Sequence, residues 1–198
     1  MRIHEFPSNE AYVNTQKKGS NRRANRRAAA NALEIKAITD YLKRDSVQCN
    51  PLHGVCHGAR CGTEIKLFSD YLPEVDIIGT DLAPRVENVI ELDFHLMPKG
   101  WERRFDFLYS NSLDHSNRPS ECLRVWLDQL KDSGLAFISW SRAHALEGRP
   151  LPFPGGDCFG ASLYEYIDII ATVGVVKDLL YCSVRGCSII VIVAARKR

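Results

Sequence analysis

The chain has 198 residues, 45% of them hydrophobic and 25% charged, with a formal net charge of +2. These values are ordinary for one soluble globular domain that buries a full core. No apolar run of about 18 residues and no signal-peptide pattern occurs, which argues against membrane insertion and export and predicts a cytoplasmic protein. The seven cysteines form no CxxC pair, so reduced structural thiols are expected rather than a zinc site.

The first 44 residues carry an excess of basic side chains. They hold ten Lys or Arg and four Asp or Glu, which leaves a negative balance for the rest of the chain. The basic side chains concentrate at Lys17, Lys18, Arg22, Arg23, Arg26 and Arg27. Such a run is either a solvated helix face or a surface that follows the phosphates of a nucleic acid or of a phosphorylated substrate. We expect residues 1–50 to form a basic segment and a helix of the same domain as residues 51–198.

The predicted elements begin with that helix. Apolar side chains at helical spacing predict that it packs on a sheet, and these are Leu33, Ile35, Ile38 and Leu42. After residue 50, short apolar runs alternate with helical patterns, as βαβ units around a parallel sheet do. We predict strands at 52–56, 75–81, 88–92, 105–110 and 135–140, and helices at 63–72 and 119–131.

The C-terminal part of the chain departs from this alternation. Ser162 and Glu165 have the spacing of a capping box, which predicts that a helix begins there. The apolar runs 175–184 and 188–197 are too close together for a crossover helix, so they predict an antiparallel hairpin. The Pro- and Gly-containing segment 141–160 follows the fifth predicted strand and should overhang a pocket at that edge of the sheet.

Ligands of open α/β sheets bind at the carboxyl ends of the strands, where this chain places glycines and carboxylates. Gly58 and Gly62 allow a tight turn after the first predicted strand, and the helix that begins near Thr63 points its amides at the same space. Asp81 ends the second predicted strand about 20 residues later, where a carboxylate can accept hydrogen bonds from ribose hydroxyls. This spacing favours a nucleoside cofactor without choosing which one.

Three segments together resemble the class I S-adenosylmethionine-dependent methyltransferases, small-molecule type. The sequence HGARCG is similar to the glycine loop of that family, with His57 at the usual acidic position and Arg60 at the middle glycine. Asp93 and Phe94 match the pair that receives the adenine amino group and flanks the ring. The resemblance covers residues 52–141 by motif and the remainder by topology.

The longest similar segment follows the fourth predicted strand. The family pattern there is Phe-Asp and two apolar residues, small or polar residues, an acidic–His pair, a helix and a glycine turn. This chain matches it at Phe105, Asp106, Ser110, Asn111, Asp114, His115 and Gly134. The resemblance, with the predicted hairpin, implies a three-layer Rossmann-like α/β fold whose seven-stranded sheet is mostly parallel and has one antiparallel C-terminal strand.

The resemblance also implies a site for S-adenosylmethionine. The implied cofactor-binding residues are His57, Gly58, Arg60, Gly62, Asp81, Leu82, Asp93, Phe94, Ser110 and Asn111. Glu64 or a backbone carbonyl is expected to replace the missing acidic residue of the loop. For an acceptor that must lose a proton, the implied base is His115, oriented by Asp114. No metal is expected, because His95, Asp114 and His115 lie without tight ligand spacing.

Three functions remain open at this point. The first is transfer of a methyl group to an O or N atom of a small-molecule acceptor, recognised by segment 141–160. The second is an RNA methyltransferase that uses the basic segment, although the Asn/Asp-Pro-Pro-aromatic motif for base amines is absent at 109–112. The third is a non-catalytic nucleotide-binding module, favoured by His57 and Arg60. The sequence identifies neither the acceptor nor the oligomeric state.

Overall fold

The computed structural model describes residues 1–22, 30–44, 51–145, 151–152, 156–184 and 187–197. Its strands, in chain order, are β1 (Arg2–Ile3), β2 (Leu52–His57), β3 (Val75–Asp81), β4 (Val89–Glu91), β5 (Phe105–Ser110), β6 (Leu130–Ser141), β7 (Phe159–Gly160), β8 (Gly174–Val184) and β9 (Cys187–Arg196). Its helices are α1 (Asn9–Arg22), α2 (Ala32–Arg44), α3 (Thr63–Tyr71), α4 (Pro119–Asp128) and α5 (Leu163–Val173), with short 3₁₀ turns at Leu113–His115 and Arg142–Ala145.

Seven strands form one sheet in the order β4-β3-β2-β5-β6-β9-β8. The pairs from β4 to β6 are parallel, while β9 runs antiparallel to both β6 and β8. The predicted fold class is therefore confirmed, including the hairpin that inserts its last strand into the sheet. Two short strands, β1 and β7, pair antiparallel outside it.

Helices cover both faces of the sheet, which gives the three layers. Consecutive residues of a strand point to opposite faces, so Phe107 packs with α2 and α3 while Leu108 packs with α4 and α5. All six residues of β5 are buried, as expected for a central strand of a parallel sheet. Helix α5 begins at the predicted capping box, in which Ser162 and Glu165 cap each other's backbone amides.

Some boundaries differ from the prediction because tertiary pairing overrides the local pattern. The helix predicted to reach residue 131 ends at Asp128, and Leu130 instead pairs with Phe105 as the start of β6. Leu33 is exposed, although Ile35, Ile38 and Leu42 of the same helix are buried against the sheet.

The extent and inner face of helix α1 were not predicted, although a solvated helix face was one interpretation of the basic run whose Lys17, Lys18 and Arg22 it carries. Its buried residues are Tyr12, Gln16 and Gly19, so its inner face lacks the apolar stripe that reveals a helix in sequence. Among the described helices, none is long and apolar enough to cross a membrane.

Candidate active site

The glycine turn after β2 is hydrogen-bonded to β3 through its backbone. Gly58 and Gly62 have φ angles of 78° and 66°, in the left-handed region that glycine tolerates. The amides of Gly58 and Ala59 donate to the carbonyl of Thr80 at 2.8 and 3.0 Å. A Cβ atom on Gly58 would overlap the side chain of Ser112, which belongs to the segment after β5. The turn is therefore packed too closely for any side chain at position 58.

The carboxylate of Asp81 lies at the end of β3, beside that turn. Its Oδ2 accepts a hydrogen bond from the amide of Arg60 at 3.2 Å, and its Oδ1 accepts one from the amide of Ala83 at 2.7 Å. Each carboxylate oxygen has a second lone pair, so both can accept one more donor. Asp81 and Leu82 are half-buried. The carboxylate can therefore accept two further hydrogen bonds.

The side chain of His57 is buried in the core. Nδ1 lies 2.7 Å from Oγ1 of Thr80, Nε2 lies 3.0 Å from Oε1 of Gln129, and the ring stacks on Trp126. Burial lowers the pKa of His57 to about 4, and the hydrogen bond to Gln129 opposes this only in part. The ring is neutral and holds β2, β3 and the end of α4 together, so any contact of His57 with a cofactor falls to its backbone.

Glu64 stands at the second position of α3, directly after the turn. It is 4% exposed, and its Oε2 has no hydrogen-bond partner among the described residues. Burial raises the pKa of this carboxyl to about 7; a hydrogen bond from its own backbone amide and the nearby Arg60 guanidinium oppose the shift, and Asp81 adds to it. A buried carboxyl group with an unused acceptor atom thus lies close to the turn.

The loop after β4 is ordered by hydrogen bonds between Asp93 and His95. Oδ1 of Asp93 accepts hydrogen bonds from the amide and Nδ1 of His95 at 3.0 and 2.7 Å. Burial alone would raise the pKa of Asp93, but the hydrogen bonds from His95 outweigh it and the pKa is lowered. Phe94 packs edge-on against Trp126, whose Nε1 donates to the Phe94 carbonyl at 3.1 Å. The Phe94 ring is consequently 7% exposed and largely part of the core.

The segment after β5 is bound to the glycine turn by hydroxyl groups. Oγ of Ser110 donates to the carbonyl of His57 at 3.0 Å and accepts from the amide of Ser112 at 3.1 Å. Oδ1 of the half-buried Asn111 accepts from Oγ of Ser112 at 3.0 Å. Ser110 and Asn111 therefore lie at the same edge as the turn.

Gln16 determines which ring nitrogen of His115 carries the proton in the neutral ring. Nδ1 of His115 lies 2.9 Å from Oε1 of Gln16, and the Gln16 amide is oriented because its Nε2 donates to the Gly156 carbonyl at 2.6 Å. An amide oxygen can only accept, so Nδ1 carries the proton. In the neutral ring Nε2 then holds a lone pair, and it lies 3.6 Å from Oδ1 of Asp157.

Asp114 precedes this histidine in the 3₁₀ turn, and the ring that it was expected to orient is instead hydrogen-bonded by Gln16. Asp114 is 7% exposed, its Oδ1 has no hydrogen-bond partner among the described residues, and its Oδ2 lies 3.9 Å from Nε2 of His144. The atoms of Asp114, His115 and Asp157 that could bind a metal ion all lie within 4.8 Å of one another. Asp157 and His144 both belong to segment 141–160, of which residues 146–150 and 153–155 lie outside the described part.

Sequence reasoning missed Gln16 and Asp157. Gln16 is 99 residues from His115 in the chain, so no local spacing could reveal the contact. Asp157 follows two glycines in a segment that was expected to overhang the site, and that position was the only available signal. His95, which was considered with Asp114 and His115, instead joins Asp93 and Ser116.

Helix α1 lies across this edge of the sheet. It contacts β4 and the segments after β3, β4 and β5, through the pairs Lys17–Glu91, Asn21–Arg85, Tyr12–His95 and Gln16–His115. Of the basic run, Lys17 is paired with Glu91 at 2.6 Å, and Lys18 and Arg22 are exposed. Arg23, Arg26 and Arg27 lie outside the described residues.

No protein-family model matches the chain, and no curated protein matches it in sequence. Solved structures do. The 1,6-didemethyltoxoflavin-N1-methyltransferase of Burkholderia thailandensis, with bound S-adenosylhomocysteine, superposes with a TM-score of 0.74 at 15% identity, over 99% of this chain and 94% of that one. The chain has the class I methyltransferase fold.

Two further structures show how widely this methyltransferase fold is shared. Magnesium protoporphyrin IX methyltransferase of Synechocystis PCC 6803, also with bound S-adenosylhomocysteine, gives a TM-score of 0.64 at 11% identity and covers 96% of this chain and 100% of that one. The [4+2]-cyclase SpnF gives 0.61 at 13% identity, over 81% of each chain. Because the fold supports more than one reaction, the activity has to be argued from the site.

Proposed function

We propose that the chain is an S-adenosylmethionine-dependent methyltransferase whose acceptor is a small molecule with an O–H or N–H group. The observation that carries this is the hydrogen bond between the Asp81 carboxylate and the Arg60 amide. It fixes a ribose-binding carboxylate against the glycine turn, at the strand ends where open α/β sheets bind ligands. The two similar methyltransferases that hold S-adenosylhomocysteine support the choice of cofactor.

The residues at this edge fit the parts of the cofactor. Asp81 accepts hydrogen bonds from the ribose hydroxyls, and Asp93 accepts one from the adenine amino group. The glycine turn lets the backbone approach the cofactor without a Cβ atom in the way. The remaining proposed contacts come from the backbone or side chains of His57, Arg60, Leu82, Phe94, Ser110 and Asn111. When bound, S-adenosylmethionine supplies an electrophilic methyl group, so the protein has to align the acceptor and exclude water.

His115 is proposed to take the proton of the acceptor. Its Nδ1 donates to Gln16, so Nε2 is the atom that can accept a proton. Asp157, 3.6 Å from Nε2, stabilises the cation that forms. The unpartnered Oδ1 of the buried Asp114 accepts a hydrogen bond from the acceptor and orients it.

A small acceptor is favoured over RNA because α1 lies across the site. Its inner face contributes Tyr12 and Gln16 to the contacts around His95 and His115, and one of its lysines is paired with Glu91. What disfavours RNA is the cover that α1 forms over this edge and not its charges, since Lys18 and Arg22 remain exposed.

Calorimetric titration with S-adenosylhomocysteine and with NAD tests the function. We expect S-adenosylhomocysteine to bind with micromolar affinity and NAD not to bind. A screen of small molecules and of RNA should then return a small acceptor whose methylation depends weakly on salt. Binding of NAD alone, or of neither ligand, would refute the assignment, and RNA methylation that falls steeply with salt would replace the acceptor class.

A further inference from the structure

Three side chains beside the candidate active site form a cluster of the metal-ligand type. Asp114 and His115 come from the 3₁₀ turn after β5, and Asp157 comes from the segment before β7. One potential ligand atom of each residue lies within 4.8 Å of the other two. We propose that this cluster binds a transition-metal ion of the Zn²⁺ type, and that the bound ion inhibits methyl transfer. The binding site stands on its own geometry, and only the inhibition rests on the proposed function.

The first ground is the distance between His115 and Asp157. Nε2 and Oδ1 are 3.6 Å apart, which is longer than a hydrogen bond between a nitrogen and an oxygen. Two ligand atoms that each lie about 2.0–2.2 Å from a tetrahedral Zn²⁺ are about 3.3–3.6 Å from each other. The pair is therefore spaced as two ligands of one ion. Because the Asp114 ligand atom lies within 4.8 Å of both, a shift of about 1 Å in its carboxylate completes the set.

The second ground is the orientation of the His115 ring. Nδ1 donates its proton to Oε1 of Gln16 at 2.9 Å, so Nε2 keeps the lone pair that a metal ion needs. Histidines that bind a metal commonly donate their other ring N–H to an oxygen in this way. His144 has the opposite arrangement, because the amide of Ser141 donates to its Nδ1 at 3.0 Å and Nε2 of the neutral ring then carries the proton. His115 is thus oriented as a ligand, and His144 is not.

The third ground is a buried carboxylate that lacks a donor. Oδ1 of Asp114 has no hydrogen-bond partner among the described residues, and Asp114 is 7% exposed. Asp157 is 8% exposed. Buried carboxylates are costly unless cations or hydrogen-bond donors compensate their charge. One imidazolium compensates a single carboxylate, whereas a divalent cation compensates both at once.

The ligand set indicates the kind of ion. One imidazole with two carboxylates suits Zn²⁺ and similar transition-metal ions, whereas Mg²⁺ and Ca²⁺ prefer oxygen ligands alone. The thiol of Cys158 is engaged elsewhere, since it donates to the carbonyl of His115 at 3.0 Å. An ion on Nε2 of His115 would occupy the lone pair that is assigned to the proton of the acceptor. The metal-bound protein should therefore be inactive.

Calorimetric titration of the full chain with Zn²⁺ at pH 7.5, without cofactor or acceptor, tests the site. We expect one tightly bound ion per chain, with the affinity weakened by about 100-fold or more in His115→Ala and in Asp157→Asn. Gln16→Leu keeps all three ligands but releases the ring, so it should weaken the ion by about 10- to 100-fold. The matched control is His53→Ala, which removes an exposed histidine that lies 2.9 Å from Asp76, and it should bind as the wild type does.

Each outcome bears on one part of the proposal. No tight binding by the wild type removes the site, and tight binding that persists in a folded His115→Ala or Asp157→Asn variant places the ion on other histidines or on thiols. Urea unfolding checks that each variant is folded, and Gln16→Leu decides if a ligand variant is not. Displacement of Zn²⁺ by excess Mg²⁺ would contradict the nitrogen ligand.

The inhibition is tested separately from the binding. Methyl transfer at the wild-type rate by the metal-bound protein would overturn the inhibitory role. Failure of the wild type to bind S-adenosylhomocysteine would overturn the proposed function, and the result of the Zn²⁺ titration would not change.

Discussion

Nδ1 of His115 lies 2.9 Å from Oε1 of Gln16, which fixes Nε2 as the atom able to accept a proton. Replacing His115 with Ala should lower kcat by about 100-fold or more, because general-base catalysis contributes that much. The affinity for S-adenosylhomocysteine should not change, since the imidazole is assigned to the acceptor. Single-turnover methyl transfer to the acceptor found by screening measures the first quantity and calorimetry the second.

Gln16→Leu is the companion variant, because it removes the hydrogen bond to His115 without removing the imidazole. We expect a smaller loss of kcat than in His115→Ala, since Nδ1 and Nε2 would then share the proton. If His115→Ala transfers methyl groups at the wild-type rate, His115 is not the base.

Gly58 is expected to tolerate no side chain. Gly58→Ala adds a Cβ atom that overlaps Ser112, at a φ of 78°, whereas Gly100→Ala adds one at a φ of 79° with no atom within 4 Å. The control should lose about 1 kcal/mol of unfolding free energy from backbone strain, and Gly58→Ala about 1–3 kcal/mol more from overpacking. Urea denaturation measures both. Equal losses would show that the turn has room for a methyl group.

The neutral His57 predicts a pH-dependent contribution to stability. Its pKa is about 4 in the folded protein and 6.5 in the unfolded chain, so the unfolded state binds the proton more tightly. The stability it contributes is present above pH 6.5 and is lost as the pH falls towards 4, by about 3 kcal/mol in total. The gap in unfolding free energy between the wild type and His57→Leu should therefore narrow over this range. A gap that stays constant with pH would contradict the buried neutral ring.

The absence of a metal requirement remains a prediction, and the cluster of Asp114, His115 and Asp157 makes it testable. Their potential metal-ligand atoms lie within 4.8 Å of one another, close enough for one divalent cation to bind all three residues. Because Nε2 of His115 is assigned to the proton, EDTA treatment should leave methyl transfer unchanged, and added Zn²⁺ should inhibit it. A metal that copurifies in equimolar amount, with activity lost on its removal, would reverse the assignment.

The sheet was predictable because its signals are local. Asp81 and Ser110 end short apolar runs that alternate with helical patterns, and these runs became β3 and β5 with unchanged bounds. The end of α4 was not predictable, since Leu130 leaves the helical pattern only to pair with Phe105. The polar inner face of α1, with Gln16, gave no periodic signal either.

In the candidate site, too, local signals were predictable from the sequence and long-range contacts were not. The motifs named residues that do lie at strand ends, such as His57, Asp81 and Ser110, and local spacing was enough to predict that position. What each side chain does depends on contacts from distant parts of the chain. Gln129 hydrogen-bonds the buried ring of His57, and Gln16 sets the tautomer of His115. No motif contains that information.

Titration of Asp81→Ala with S-adenosylhomocysteine tests most directly the claim that this carboxylate grips the cofactor at the edge of the sheet. Asp76→Ala, which changes an exposed aspartate on the same strand, is the control. We predict that Asp81→Ala loses about 100-fold or more in affinity, with an unfolding transition as cooperative as that of the wild type, and that the control binds normally. Wild-type affinity in a folded Asp81→Ala variant would contradict the account.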